Sequence, residues 1–283
     1  LIFSIIYLIQ YLLVYKISVY ITFIMGLRKT IKKKICKFLL KQNIFTSKKV
    51  ADFKVKETLK IIKPKRIDIE HIRIGGKNDG GYIVPNDLNN IRFCFSPGVG
   101  NISNFEKDLA QKNIKSFLAD YSVDTNFRND PMIDFEKKFV GPITHNNFIS
   151  LKDWMMTKID YEKEKELILQ MDIERDEYDV IHSIDINTLK KFRIILIEFH
   201  NLHYLFDDFY HNKITNIFKK LSEFFICTHI HPNNDVDFIM DSKTITIPPV
   251  MEFSFLRKDR AKVLDDNLVF PNSLDQPNNP NKR

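Results

Sequence analysis

The chain of 283 residues is 44% hydrophobic and 28% charged, with 43 Lys and Arg against 36 Asp and Glu. That composition excludes a disordered chain, a collagen and a disulfide miniprotein, and the length suits one large globular domain or two small ones. A net charge of +7 invites a nucleic-acid reading, because clustered basic residues release counterions from phosphate backbones. Its distribution argues otherwise. Residues 1–66 hold sixteen basic residues and two acids, Asp52 and Glu57, a net of +14, whereas the remaining 27 basic and 34 acidic residues make the rest −7. A basic arm precedes an acidic body, and nucleic acid is not the expected partner. Cys36, Cys94 and Cys227 are an odd number with no CxxC spacing, which argues against a disulfide framework and for a reducing compartment.

Residues 1–25 are almost wholly apolar and about long enough to cross a bilayer, which takes roughly 20 residues, although Lys16 in the middle is costly there. The basic cluster from Arg28 to Lys37 follows, and by the positive-inside rule it would keep the body cytoplasmic, with the 28–66 arm against the cytoplasmic face of a membrane. The alternative is upstream sequence that does not belong to the natural start, since position 1 is Leu and the first methionine is Met25. Three segments are expected: an apolar segment plus basic arm over 1–66, the body over 67–258, and a polar, disordered tail over 259–283.

Through the body, apolar runs alternate with helical patterns, the mark of a parallel sheet covered by helices. Ile91–Ser96 reads as a buried strand, followed by Pro97-Gly98-Val99-Gly100; Ser103 and Glu106 read as a capping box opening a helix. Further strands are expected at Ile114–Asp120, Phe135–Val140, Leu167–Asp172 and Phe192–Phe199, then an amphipathic helix over Tyr204–Glu223 with Phe209 on its apolar face. Phe224–His231 and Ile245–Phe255 close the set. Pro248-Pro249 places the latter near a sheet margin, and the proline-rich segment from Pro271 reads as disordered.

Three units carry chemistry. Gly98 and Gly100 at a strand-to-helix turn let the backbone approach a ligand, and Asp120 at the end of the next strand, with Tyr121 after it, is placed for ribose hydroxyls. Ile102 stands where a dinucleotide fingerprint has its third glycine, so S-adenosylmethionine, which lacks phosphate, fits better than NAD. Asp172 and Glu174 follow a strand and would point into the same crevice, where a carboxylate holds an acceptor hydroxyl or takes its proton; Asp176 and Glu177 read as acids favouring a helix amino terminus. His200, His203, His229 and His231 form the third unit. The sequence fixes no third metal ligand, so no metal is assigned and the histidines, His229 and His231 above all, are read as general-base candidates.

Arg73–Val84 (RIGGKNDGGYIV), Phe95–Gly100 (FSPGVG), Asp172-Ile-Glu174, Ile197–His200 (IEFH), His229–Asn234 (HIHPNN) and Ile247–Glu252 (IPPVME), in this order over residues 70 to 258, resemble the FkbM-type methyltransferases. The resemblance implies a class I, Rossmann-like, mostly parallel seven-stranded sheet flanked by helices, with S-adenosylmethionine as cofactor. It also implies O-methylation of a sugar or another small-molecule or glycan hydroxyl. It places Asp79 and its loop over the cofactor, Gly98 and Gly100 beside its methionine and ribose side, Asp120 at the ribose, and Asp172 at methyl transfer. Ser96 stands where many class I enzymes carry an acid, which weakens the contact to the methionine amino group. In this reading Asp172 and Glu174 align the acceptor and His229 or His231 removes its proton. Two rivals are a metal-dependent glycosyltransferase using Asp172-x-Glu174, and a non-catalytic, membrane-tethered module.

Overall fold

The computed structural model describes residues 27–43, 47–100, 104–124, 130–236, 240–242 and 244–282. The expected apolar span over 1–25 lies outside the described residues. Contacts divide the chain into two units, 1–48 and 49–283. In the first, residues 27–41 form a helix exposed along nearly its whole length. Among the described residues no helix is long and apolar enough to cross a membrane. Residues 49–66 belong to the second unit rather than to a basic arm running to 66: helix α1 (Asp52–Ile61) and its flanks bury Val50, Val55 and Ile62 in the main core.

The second unit is built on a seven-stranded sheet. Its strands, in chain order, are β1 (Phe93–Pro97), β2 (Lys115–Ala119), β3 (Ile133–Glu136), β4 (Leu167–Met171), β5 (Phe192–Phe199), β6 (Phe225–Pro232) and β7 (Met251–Arg257). They lie in the order β6-β7-β5-β4-β1-β2-β3, and β7 is antiparallel to both its neighbours while the other pairings are parallel. β4 and β5 are buried at every position, which is why both read as nearly unbroken apolar runs: a parallel strand covered on both faces has no solvent side. Alternation sends Phe95, Leu169, Ile195, Ile197 and Phe253 to one face and Cys94, Ile168, Ile194 and Leu196 to the other.

The first face is covered by α1, α3 (Leu151–Lys158), α4 (Glu177–Ser183) and α6 (His211–Phe224). Helix α3 opens on Ser150, whose Oγ accepts from the Asp153 amide (3.1 Å), and it buries Trp154 edge-on against Phe95. Helix α6 buries Ile214, Ile217, Phe218 and Leu221, the i, i+3, i+4, i+7 stripe of an amphipathic helix. The second face is covered by α2 (Asn104–Gln111) and a hairpin pairing His71–Ile74 with Tyr82–Pro85.

Five expectations are corrected. The strand expected over Phe135–Val140 is two: β3 in the main sheet, and Phe139–Gly141 paired with Phe148–Ser150. The helix expected from Tyr204 starts at His211; Leu202–Phe206 is a 3-10 turn, and the Asp207 carboxylate, accepting from the Phe209 amide, starts a new turn that leaves Phe209 80% exposed. The strand expected over Ile245–Phe255 is divided by its prolines, and its second half, β7, lies inside the sheet between β5 and β6 rather than at its margin. Glu106 is not a surface capping residue: it turns inward to the Ser96 hydroxyl, and Ser103 lies outside the described residues.

The fifth concerns the tail, which packs as an ordered strap over β6 and β7. Composition predicts disorder when a segment has too little apolar surface to bury. Here buried hydrogen bonds replace that surface: Asp275 meets His229 and His231, and Asn278 donates to Asp79 and Glu252.

Candidate active site

Because β1, β2, β4 and β5 run parallel, their carboxyl ends open on one side, the usual place for a ligand crevice in such sheets. A cleft of about 450 Å³ lies there, lined by Asp79, Gly98, Gly100, Asp120, Asp172 and Glu174 among others. That volume is within the range of small-molecule sites. These six residues, all named from the sequence, therefore share one cavity.

Gly98 has φ +82°, and a Cβ on it would stand 1.5 Å from the carbonyl oxygen of Asp172. The chain ends of β1 and β4 touch here, tied by the Asp172 amide donating to the Pro97 carbonyl (3.2 Å), while the Gly98 amide donates to the carbonyl of Ala119 at the end of β2 (2.9 Å). Gly100, at φ +54°, has nothing within 4 Å of its would-be Cβ, so its bare face borders the open cleft. Asp120 is 8% exposed and is held by the Ser122 amide and hydroxyl (2.8 and 2.7 Å) and the Gly100 amide (3.3 Å). Tyr121 does not line the cleft. It turns outward and packs its ring on Phe139, which does.

Beneath the glycine turn, Ser96 lies between the side chains of Glu106 and Gln170, and Gln170 Nε2 donates to the Tyr82 hydroxyl (3.0 Å). Glu106 borders the cleft, and burial pushes its carboxyl above the usual carboxylate range. A carboxyl is thus present where Ser96 alone offers none, brought in from α2 rather than from the strand.

On the opposite wall, the turn after β4 sets Glu174 and Arg175 at φ +56° and +104°, strained backbone for residues with a Cβ. Glu177 pins it: its Oε1 accepts from the Ile173 and Arg175 amides (3.3 and 3.0 Å). The same oxygen lies 3.0 Å from His200 Nδ1. Glu177 is fully buried, so it does more than favour a helix terminus. With Nδ1 engaged as donor, His200 Nε2 keeps its lone pair and faces Glu174 (3.4 Å) and Asp172 (3.9 Å). Burial lowers the His200 pKa, but the Glu177 hydrogen bond and the charges of Glu177, Glu198 and Glu174 outweigh it and hold the imidazole above its ordinary value.

Asp172 and Glu198 are hydrogen-bonded carboxyls, and Asn233 Nδ2 also donates to Glu198 (2.7 Å). Burial, then the Glu198 charge and hydrogen bond, raise Asp172 well above a normal aspartate. Its Oδ1 has no hydrogen-bond partner among the described residues. The buried carboxyls continue along the same sheet face through Glu252, opposite Glu198 across β5 and β7, which burial pushes up to about 8.

His229 and His231 are not brought into this cleft. β7 inserts between β5 and β6, so the pair sits two strand spacings, roughly 10 Å, from β5. There both rings meet Asp275 of the tail (2.9 and 3.2 Å). The sequence offers His200 only as one of four histidines, gives Glu177 and Glu106 helix-terminus roles, and leaves Glu198 unassigned. One signal is legible: Glu198, following four consecutive apolar residues, Ile194 to Ile197, has to serve something once buried. Nothing in the sequence pointed Glu106 inward.

Fold and site together define an α/β protein with a seven-stranded, mostly parallel sheet and a ligand cleft at its strand ends. Residues 140–224 match the family model described as the methyltransferase FkbM domain, and the matched stretch spans α3, β4, α4, β5 and α6 with Asp172, Glu177 and His200. Gly98, Gly100 and Asp120 lie ahead of the matched residues. No curated protein matches the chain.

Proposed function

We propose that the chain is an S-adenosylmethionine-dependent O-methyltransferase with a class I, Rossmann-like sheet, acting on a hydroxyl of a sugar or similar small metabolite. The observation that carries this reading is one cleft with a glycine turn and Asp120 on one wall and Asp172 and Glu174 on the other, with a carboxylate-held His200 beside those two acids. Two further features support it: the strand order with a single reversed strand, β7, and the FkbM match across the acceptor wall.

The cleft suits the cofactor chemically. Gly100 presents open space, Asp120 a carboxylate whose two oxygens already accept neighbouring N–H and O–H groups, and Glu106 and Asp172 buried carboxyls near where a cation would lie. S-adenosylmethionine supplies a methyl group already activated on a sulfonium. The protein's own tasks are alignment and proton removal. Asp120 accepts from ribose hydroxyls, Glu106 takes the amino group of the methionine part, and Asp172 orients the acceptor. His200 Nε2, its ring fixed by Glu177, takes the acceptor's proton.

Calorimetric titration with S-adenosylhomocysteine tests the reading. We expect one equivalent to bind, and Asp120→Ala to weaken it by about 10- to 100-fold, the worth of one to two hydrogen bonds to a charged group. Absence of heat with the unaltered protein overturns it. Glu106→Gln is expected to weaken S-adenosylhomocysteine by about tenfold while leaving methylthioadenosine, which has no amino group, unchanged. Equal losses for both ligands would remove Glu106 from that role.

A further inference from the structure

We propose that His229, His231 and Asp275 form a binding site for a divalent transition metal of the zinc type, which fastens the carboxyl-terminal strap onto strand β6. This does not depend on the methyltransferase reading. His229 and His231 are i and i+2 on β6, so both rings leave the same face of the strand, and backbone register with β7 fixes their spacing. Asp275 Oδ1 lies 2.9 Å from His229 Nε2 and 3.2 Å from His231 Nδ1, and the three atoms all fall within 4.8 Å of one another.

Zinc binds imidazole nitrogen and carboxylate oxygen at about 2.0–2.2 Å in a tetrahedron, which sets its ligand atoms roughly 3.3 Å apart. The two separations from Asp275, 2.9 and 3.2 Å, are already close to that spacing. The side chains are 5%, 13% and 8% exposed, so the ligands are held by surrounding packing rather than by chance approach on a surface. The donor set of two imidazoles and one carboxylate suits zinc and its neighbours rather than magnesium or calcium, which prefer all-oxygen shells.

Two orphaned imidazole nitrogens mark the same spot. His231 Nε2 is buried without a hydrogen-bond partner among the described residues, and Glu252 stands opposite His231 across β6 and β7. With Nδ1 on a metal, the Nε2 proton has this carboxyl as its outer partner, the usual arrangement behind a metal-bound histidine. His71, on the hairpin strand His71–Ile74, lies near His229, and its buried Nε2 also lacks a partner among the described residues. It is the candidate for the fourth position.

The site also explains why so polar a segment is ordered. Asp275 anchors the strap at one point and Asn278, three residues on, bridges Glu252 and Asp79 (2.7 and 3.1 Å), the latter at the rim of the cleft. A metal at Asp275 would thus set the position of a residue that borders the ligand site.

The test is zinc titration of the chelator-treated full chain by calorimetry, with cobalt substitution read in the visible spectrum. We expect one equivalent bound at submicromolar Kd, tetrahedral cobalt bands, and slower proteolysis of the strap when zinc is present. His229→Ala and Asp275→Asn should each weaken zinc by more than about 100-fold. Asp275→Asn is isosteric and keeps an acceptor for the Asn272 amide, so its circular dichroism should match the parent chain. His200→Ala should leave zinc affinity unchanged. No binding to the parent chain overturns the proposal, and so does binding that survives both strap-site variants or that His200→Ala abolishes, since the latter would put the ion in the cleft.

Discussion

A His200→Ala variant should bind S-adenosylhomocysteine like the parent chain and lose methyl transfer by about 10²- to 10⁴-fold, the usual contribution of a positioned general base. The reason lies in where His200 stands. Its Nδ1 is held by a fully buried carboxylate, Glu177, and its Nε2 faces the acidic wall of the cleft. Removing the imidazole removes the proton acceptor without disturbing the glycine turn or Asp120. Because Glu177 holds the His200 pKa above its ordinary value, the neutral, proton-accepting form appears only at higher pH, so activity should rise through a limb lying above the usual histidine range.

Glu177→Gln tests the same point with a different readout. It takes away the charge that raises the imidazole and leaves burial, the opposing effect, in place, so the acid limb of kcat/KM should move to lower pH. Stability should respond too. A group whose pKa is raised on folding stabilises most below its unfolded value of about 6.5 and loses that contribution as pH rises through the folded value. The parent chain should lose part of its stability across that interval, and the variant less. If the limb stays where it is in Glu177→Gln, His200 is not the titrating base.

Gly98→Ala should be the most destabilising single change at the cleft, by at least about 4 kcal/mol, or a fall in Tm of roughly 8–16 °C. Two causes add. A side chain at φ +82° costs about 1–2 kcal/mol, and the new Cβ would stand 1.5 Å from the Asp172 carbonyl oxygen, a backbone atom that cannot swing aside. The carboxyl ends of β1 and β4 would have to part, breaking the Asp172–Pro97 link between them. Gly100→Ala separates folding from binding: its Cβ meets nothing within 4 Å, so stability should fall by only about 1–2 kcal/mol while the methyl intrudes on the cleft and weakens S-adenosylhomocysteine. Equal melting temperatures for Gly98→Ala and the parent chain would refute the close approach.

Elements whose burial is uniform were legible from sequence, and elements that depend on a neighbour were not. β5 is legible at its observed limits, Phe192–Phe199, because a strand covered on both faces is mostly apolar, here at every position but Arg193 and Glu198. The glycine turn, Asp120 and Asp172 were legible for a similar reason: strand ends and positive φ leave a mark in residue type. β7 was misplaced because Pro248 and Pro249 looked like an edge signal, whereas they occupy the bend before the strand and leave its interior free to pair on both sides.

The histidines illustrate the limit most sharply. His200 and His229 are alike in sequence, each next to the end of an apolar run, and what separates them is that β7 lies between β5 and β6. His200, at the end of β5 beside β4, meets the Glu177 carboxylate and the acids of the cleft wall, whereas the insertion of β7 leaves His229 and His231 with the strap and Asp275. The strap was read as disordered because its order rests on partners more than 20 residues away, Glu252 and Asp79 among them. Composition, periodicity and the glycine turn by themselves determined an acidic α/β body with a crevice at its strand ends and several residues that line it, since local backbone demands and burial are written into residue type. Which acid turns inward, which histidine meets the crevice and where the tail lies were decided by the tertiary structure, because a side chain's pKa and its partners come from strands brought together across the sheet.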